Sequence, residues 1–484
     1  MRKEEVLKQE KTPKKFLAKW EFTVIKYLFV LLFLALIAHF VNFMLKDSEE
    51  FINNDYNGRE DLFAETVIRG EIHSSDGKIL AMTLVKDGEE TRYYPYENIF
   101  SHVIGYSIYG KAGVEKMANF NLLRSHVSVE EKVETELSGL KYIGDNVITT
   151  LDYELQNIAY DTLSYYEGAI VILEPSTGRI LAMVSKPDYN PNEIKEDWEF
   201  LISEKNTSAA LLNRATQGLY PPGSTFKIIT TLAYLRQNKD ETQYEYVCNG
   251  KHTAENALIH CIYNKKHGTI NLEESFAESC NSSFANVGLS LDCSEFHSLC
   301  ENLLFNQPLP TKFPYSKSSF TLSDDSSQSE IIQAAIGQGT TLVTPFHMAL
   351  ITSAIANEGT LMTPYVIERV ENHLGEVVTQ YQPSRYGKLI SDEEVDVLQA
   401  YMEAVVDYGT GKKLQSDMYK AAGKSGSADF SSEADASCHS WFVGYASGEG
   451  KEDIAVAILV EEAGTGGTVA VPMAKEIFDA YFAE

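Results

Sequence analysis

Ser224 and Lys227 stand three residues apart in GLYPPGSTFKIITTLAYL, residues 218–235. Pro221-Pro222-Gly223 breaks the chain ahead of them, and Ile228, Ile229, Leu232 and Leu235 follow at the threes and fours of a helix. Ser224 therefore falls at a helix N-terminus, where unpaired N–H groups stabilise negative charge. Lys227 lies one turn on, on the same face. Packing such an apolar helix on several sides strips water from the ammonium and favours the neutral amine, a base for the serine hydroxyl. The pair has the parts of an activated nucleophile. The pattern alone is common: Ser75-Asp76-Gly77-Lys78 repeats it in a turn, and a serine cap with a lysine reaching solvent is its structural use.

Two further stretches change the reading. SFAESCNSSFANVGL (275–289) holds Ser279-Cys280-Asn281, 55 residues after Ser224. AAGKSGSADF (421–430) holds Lys424-Ser425-Gly426-Ser427, with Lys424 145 residues after Ser279. Separately these are a helix cap and a loop. In this order, Ser-x-x-Lys, Ser-x-Asn and Lys-Ser/Thr-Gly form the signature set of penicillin-binding proteins and serine β-lactamases.

The chain resembles a class B penicillin-binding protein, a membrane-anchored peptidoglycan transpeptidase, over most of its length. RGEI…DGKILA resembles the opening of that family's N-terminal domain and LLNRATQGLYPPGSTFKI the approach to its nucleophile. IGQGTTLVTPFHMALITSAIANEGTLMTP resembles the long helix before the last motif, and GKSGSAD…HSWFVGYA the active-site strand pair. No stretch resembles a glycosyltransferase domain. The resemblance implies that Ser224 attacks the carbonyl between the two D-alanines of a stem peptide, with Lys227 as base. It implies that Ser279 relays the proton, that Asn281 holds Lys227 or the substrate amide, and that Lys424 keeps Lys227 neutral by its charge. Lys424, Ser425 and Ser427 would receive the terminal carboxylate, Gly426 would admit the substrate backbone, and the N–H groups of Ser224 and Ser427 would form the oxyanion hole. β-Lactams are the implied inhibitors, and a polytopic glycan polymerase the implied membrane partner. The sequence departs from the family's Lys-Thr-Gly-Thr-Ala-Glu with Lys-Ser-Gly-Ser-Ala-Asp, which keeps the hydroxyls and loses two β-methyl groups that stiffen a strand.

These motifs need elements to hold them. GAIVILEPSTGRILAMVSKP (168–187) reads as a hairpin, and SWFVGYAS and DIAVAILVEEA near the end as two more apolar strands. With helices between and after them, the expected class is α+β: an antiparallel sheet whose first and last strands come from opposite ends of the domain, flanked by helices, with an all-helical lobe. A cytoplasmic basic tail (1–26), a transmembrane helix (27–45), a small pedestal or dimerisation-like domain (46–150) and the transpeptidase domain (151–484) are expected in that order. RGEIHSSDGKILA reads as two short strands about a turn, and Asp152 as the cap of the next helix. Residues 316–330 and 427–437 read as polar loops, and Gly409-Thr410-Gly411-Lys412 as a loop rather than a phosphate site, since it lacks the earlier glycine.

Charge sets the topology. The 484 residues carry a net charge of −28, but residues 1–26 carry eight basic and four acidic residues. The following nineteen uncharged residues (Tyr27–Leu45) span about 28 Å as a helix, close to the ~30 Å of a bilayer core. The basic side is expected in the cytoplasm and the catalytic domain outside, with no cleavage site after Leu45. His39 and Asn42 share one face of this helix, where polar groups find partners. The acidic remainder argues against nucleic acid. Six cysteines at 248, 261, 280, 293, 300 and 438 show no metal-ligand spacing, and no metal or cofactor is expected. Cys248 and Cys261 flank a loop and are either free or bridged; Cys293 and Cys300 lie too far apart along a helix to bridge. Other uses of the same motifs are a β-lactamase, which needs a second base for water, and a β-lactam sensor or catalytically quiet scaffold of the wall-synthesis machinery; a sensor needs a cytoplasmic effector larger than 26 residues.

Overall fold

A computed structural model describes residues 19–46, 59–238, 240–255, 257–429 and 438–483. The chain divides into two compact units, Met1–Gly58 and Arg59–Glu484. The first contains α1 (Lys19–Lys46), whose span Trp20–Met44 holds an 18-residue window of mean hydropathy 2.5 and is long enough to cross a bilayer. The helix starts earlier than the expected span because Trp20, Phe22, Val24 and Ile25 extend its apolar run. Residues 1–18 of the basic tail and 47–50 of the acidic exit lie outside the described residues.

The second unit opens with a short helix, Arg59–Thr66, and then builds a small sheet. β1 (Ile72–His73) and β2 (Ile79–Lys86) pair antiparallel about the expected turn, and β3 (Glu89–Tyr93) extends them. β4 (Asn146–Thr149) joins β1 in parallel. Beneath them Glu115, fully buried, is gripped by Arg69 and Arg92, each with Nε at 2.7 Å from a carboxylate oxygen. Burial pushes that carboxyl up, and the two guanidinium groups outweigh it and hold it below its ordinary value.

Asp152 then caps α2 (Tyr153–Leu163), accepting from the Leu155 N–H. The hairpin expected from residues 168–187 is β5 (Gly168–Leu173) and β6 (Ile180–Lys186). α3 (Lys227–Asn238) carries the apolar run after Ser224. Four short strands follow: β7 (Tyr246–Cys248), β8 (Lys251–Ala254), β9 (Ala257–His260) and β10 (Gly268–Ile270), with β7 pairing β10 and β8 pairing β9. Next come α4 (Leu272–Ala277), α5 (Asn281–Leu289) and α6 (Pro345–Ala356). β11 (Ile367–Glu371) and β12 (Val377–Gln380) return to the small sheet, whose order is β12-β11-β4-β1-β2-β3. That sheet thus draws strands from both sides of residue 150. α7 (Asp392–Asp407), not α6, is the long helix directly before the last motif.

The chain ends in β13 (Tyr419–Asp429), β14 (Cys438–Gly448), β15 (Lys451–Val460) and α8 (Ala470–Ala483). The large sheet is ordered β13-β14-β15-β5-β6, all antiparallel, so strands from opposite ends of the domain share one sheet as expected, and the last strand lies directly beside the first. Ala169, Val171 and Leu173 of β5 enter one core with α6; Ile170 and Ile172 enter the other with α2 and α8. A strand buried on both faces needs a continuous apolar run, which is what GAIVIL is. α6 is apolar on every side for the same reason: Phe346 to Ile355 are all buried. Of the two expected loops, 327–330 begin a helix capped by Ser327, and 427–429 complete β13; residues 430–437 lie outside the described residues.

Candidate active site

Ser224 sits in a 3-10 turn, Gly223–Phe226, that runs into α3. The turn is braced from both sides. Gly223 has φ +54 and donates to the Gly337 carbonyl at 2.9 Å; a Cβ on it would meet the Ser427 carbonyl oxygen at 2.6 Å. Thr225 Oγ1 bonds the Pro222 carbonyl, and the Trp441 indole donates to the Pro221 carbonyl at 3.0 Å. Phe226 stacks on Phe320 and meets Phe305 edge-on. Gly426 is needed for the same fit: a Cβ there would meet Thr225 Cγ2 at 2.9 Å and the Pro222 carbonyl oxygen at 3.1 Å. Gly426 thus lets the nucleophile's turn lie against one side of the strand, and it also lines the cleft.

One wall of the cleft is helical. Lys227 is fully buried, and its Nζ lies 2.9 Å from the Ser279 carbonyl, 3.2 Å from Ser279 Oγ and 2.7 Å from Asn281 Oδ1. Asn281 Nδ2 donates to the His260 carbonyl, which turns Oδ1 toward the lysine. Ser279 has φ +56, a left-handed conformation rare for serine. Burial lowers Lys227 to about 7. As a neutral amine it has two hydrogens for two oxygens that can only accept, the Ser279 carbonyl and Asn281 Oδ1. Its lone pair is left for the Ser279 hydroxyl, which can also donate.

The other wall is a strand. Ser425, Gly426 and Ser427 on β13 pair with Phe442, Trp441 and Ser440 on β14. Lys424, fully buried, donates to the Ser425 carbonyl at 3.0 Å. Burial pushes it well below the ordinary lysine value, and the charge of Lys227 pushes it further. That repulsion is mutual, each lysine's charge disfavouring the other's, and burial is the larger cause at both. Ser425 Oγ meets Thr410 Oγ1 at 2.7 Å, and Ser427 Oγ accepts from the Gly466 N–H. A cleft of about 270 Å³ lies between the walls, with Ser224, Ser279, Thr410, Ser425, Ser427 and Thr468 among its lining. All eight expected site residues fall in these walls and their hydrogen-bonded backing. Thr410 and Thr468 were missed; the Gly409-Thr410-Gly411 loop was the visible trace of the first.

The cysteines hold a surprise for spacing arguments. Cys248, Cys261 and Cys280 are not disulfide-bonded, so the Cys248–Cys261 bridge is not formed. Sγ of Cys261 lies 3.7 Å from those of both Cys248 and Cys280, and Cys248 Sγ lies 3.4 Å from His267 Nδ1. All four ligand-capable atoms fall within 4.8 Å of one another. Sequence spacing hid this group because β7, the residue after β9, the lead into β10 and the cap of α5 each supply one member.

Comparison with known proteins identifies the family. Residues 168–479 match the penicillin binding protein transpeptidase domain, and residues 69–147 the penicillin binding protein A dimerisation domain. The chain belongs to the class B penicillin-binding proteins. It is 29% identical over 435 residues to the peptidoglycan D,D-transpeptidase PbpA of Mycolicibacterium smegmatis, covering 84% of this chain and 87% of that one. It is 28% identical to the peptidoglycan D,D-transpeptidase MrdA of Acinetobacter baumannii, covering 80% and 66%. The ceftriaxone acyl-enzyme complex of penicillin-binding protein A from M. tuberculosis superposes with a TM-score of 0.78 at 26% identity, covering 87% of this chain and 99% of that one.

Proposed function

We propose that this protein is a peptidoglycan D,D-transpeptidase that works through a Ser224 acyl-enzyme. The observation that carries the reading is the fully buried Lys227, one turn from Ser224 and held by Ser279 and Asn281. Ser224 Oγ attacks the carbonyl between the two D-alanines as its proton passes to Lys227 Nζ. The N–H groups of Ser224 and Ser427 stabilise the tetrahedral oxyanion, each contributing about 3–4 kcal/mol. The proton returns through Ser279 Oγ, the contact of Lys227 that can both give and take one, to the leaving D-alanine nitrogen. An amine of a second stem peptide then attacks the acyl-enzyme, forms the crosslink and frees Ser224. Ser425, Thr410 and Ser427 present hydroxyls to the terminal carboxylate, and Lys424 lies buried behind them, its amine on the Ser425 carbonyl. β-Lactams follow the first half of this path and remain on Ser224; solved relatives trapped as β-lactam acyl-enzymes support this.

α1 fits a single-pass anchor. The basic tail supports a cytoplasmic N-terminus with the catalytic domain outside. Residues 46–150 then act as a pedestal to the transpeptidase domain at 151–484, and His39, Asn42 and that pedestal are where a polytopic glycan polymerase would dock. Fluorescent penicillin on the detergent-purified full chain tests the catalytic reading. The expected result is a covalent label on the unmutated protein and none on Ser224→Ala. No label on either, or equal label on both, would sink it.

A further inference from the structure

We propose that Cys248, Cys261, His267 and Cys280 form a zinc site that ties residues 246–270 to the catalytic Ser279-Cys280-Asn281 turn. Three cysteines and one histidine are a closed, structural set for zinc. Tetrahedral geometry with Zn–S near 2.3 Å and Zn–N near 2.1 Å sets S···S edges at about 3.8 Å and S···N edges at about 3.6 Å. The two S···S contacts at 3.7 Å and the S···N contact at 3.4 Å match those edges. With all four atoms within 4.8 Å, no pair has to close by more than ~1 Å on binding.

A second observation points the same way. Each sulfur faces a hydrogen-bond donor: the Gly250 N–H for Cys248, the Ser282 hydroxyl for Cys261 and the Ser283 N–H for Cys280. Donors placed on all three sulfurs suit thiolates bound to a metal, whose summed charge with Zn²⁺ is −1. Binding releases three thiol protons and leaves the imidazole neutral, with no change of oxidation state. The site also solves a structural problem. β7 to β10 pair only as two-stranded ribbons, which are marginal alone, yet Ile262, Tyr263, Lys265 and His267 from this stretch line the catalytic cleft. Cys280 is flanked by the left-handed Ser279 and by Asn281, the two residues that hold Lys227. Metal on Cys280 therefore fixes the turn on which Lys227 depends, making the cluster a positioning device.

The test uses the full chain purified in detergent without chelator. Elemental analysis should find about one zinc per chain, and Cys261→Ser and His267→Ala should each lose it. Stripping the unmutated chain should lower its melting temperature and slow penicillin acylation by about tenfold or more, both restored by added Zn²⁺. Cobalt in place of zinc should give a thiolate charge-transfer band and tetrahedral d–d absorption. A chain free of zinc and cobalt-silent that still takes penicillin on Ser224 overturns the site. So does a Cys248–Cys261 disulfide in the freshly purified protein. Zinc retained in a chain that takes no penicillin supports the site and counts against the Ser224 reading instead, so the two fail separately.

Discussion

The two walls of the cleft are held by different physics. The strand wall, β13, is zipped over its whole length to β14 in an all-antiparallel sheet with a core on each face. Its geometry is over-determined, and side chains there differ mainly in what they present. The helical wall rests on a left-handed serine, a short cap and side-chain bonds to the ribbons of residues 246–270. Few contacts set its geometry, and each one matters to Lys227. Substitutions in the helical wall should therefore cost rate steeply, and those on the strand should cost affinity or stability.

The largest expected effect is Lys227→Met, which keeps the volume and removes the base. Penicillin acylation should slow by about 10²–10⁴-fold with the fold retained, read by stopped-flow labelling and circular dichroism. In the unmutated protein the acylation rate should fall as pH drops through about 7, because the protonated amine cannot accept the serine proton, and should level off above it. That inflection should vanish in Lys227→Met; its persistence would assign the titration to another group. Asn281→Ala should slow acylation by roughly 10–100-fold, since Oδ1 orients the amine without exchanging a proton. A loss no greater than that of a strand-wall hydroxyl would erase the contrast between the walls.

On the strand side, Gly426→Ala forces a methyl against Thr225 and Pro222 and should cost about 1–3 kcal/mol of stability by denaturant melts. Thr410→Val is the mildest. It removes one hydroxyl beside Ser425 and should weaken initial binding by about 1 kcal/mol while leaving the limiting acylation rate unchanged. A fall in the limiting rate would place Thr410 among the reacting groups.

Much of this was legible in the chain. The helix after Ser224 shows in its threes and fours, the 168–187 hairpin in its turn between apolar runs, and the cap at Asp152 in its residue type; all three are local signals. The three motifs were readable because each is contiguous. Thr410 was not, because its role depends on meeting Ser425 fifteen residues on, across two elements. That the nucleophile's turn lies against Gly426 is not legible either, since nothing in Lys-Ser-Gly tells which distant turn its missing Cβ makes room for.

The sequence by itself determined which groups are available: a serine, two lysines and their hydroxyl and amide partners, in an order that defines the family, behind an apolar helix with a basic tail. These follow from residue type and short-range periodicity. Tertiary structure alone decided what those groups become. It buries Lys227 enough to lower it to about 7, buries Lys424 so that its amine is lowered too, and gathers three thiols and an imidazole from four separate stretches of chain. Desolvation and convergence are properties of the packed neighbourhood, and no stretch of chain carries them alone.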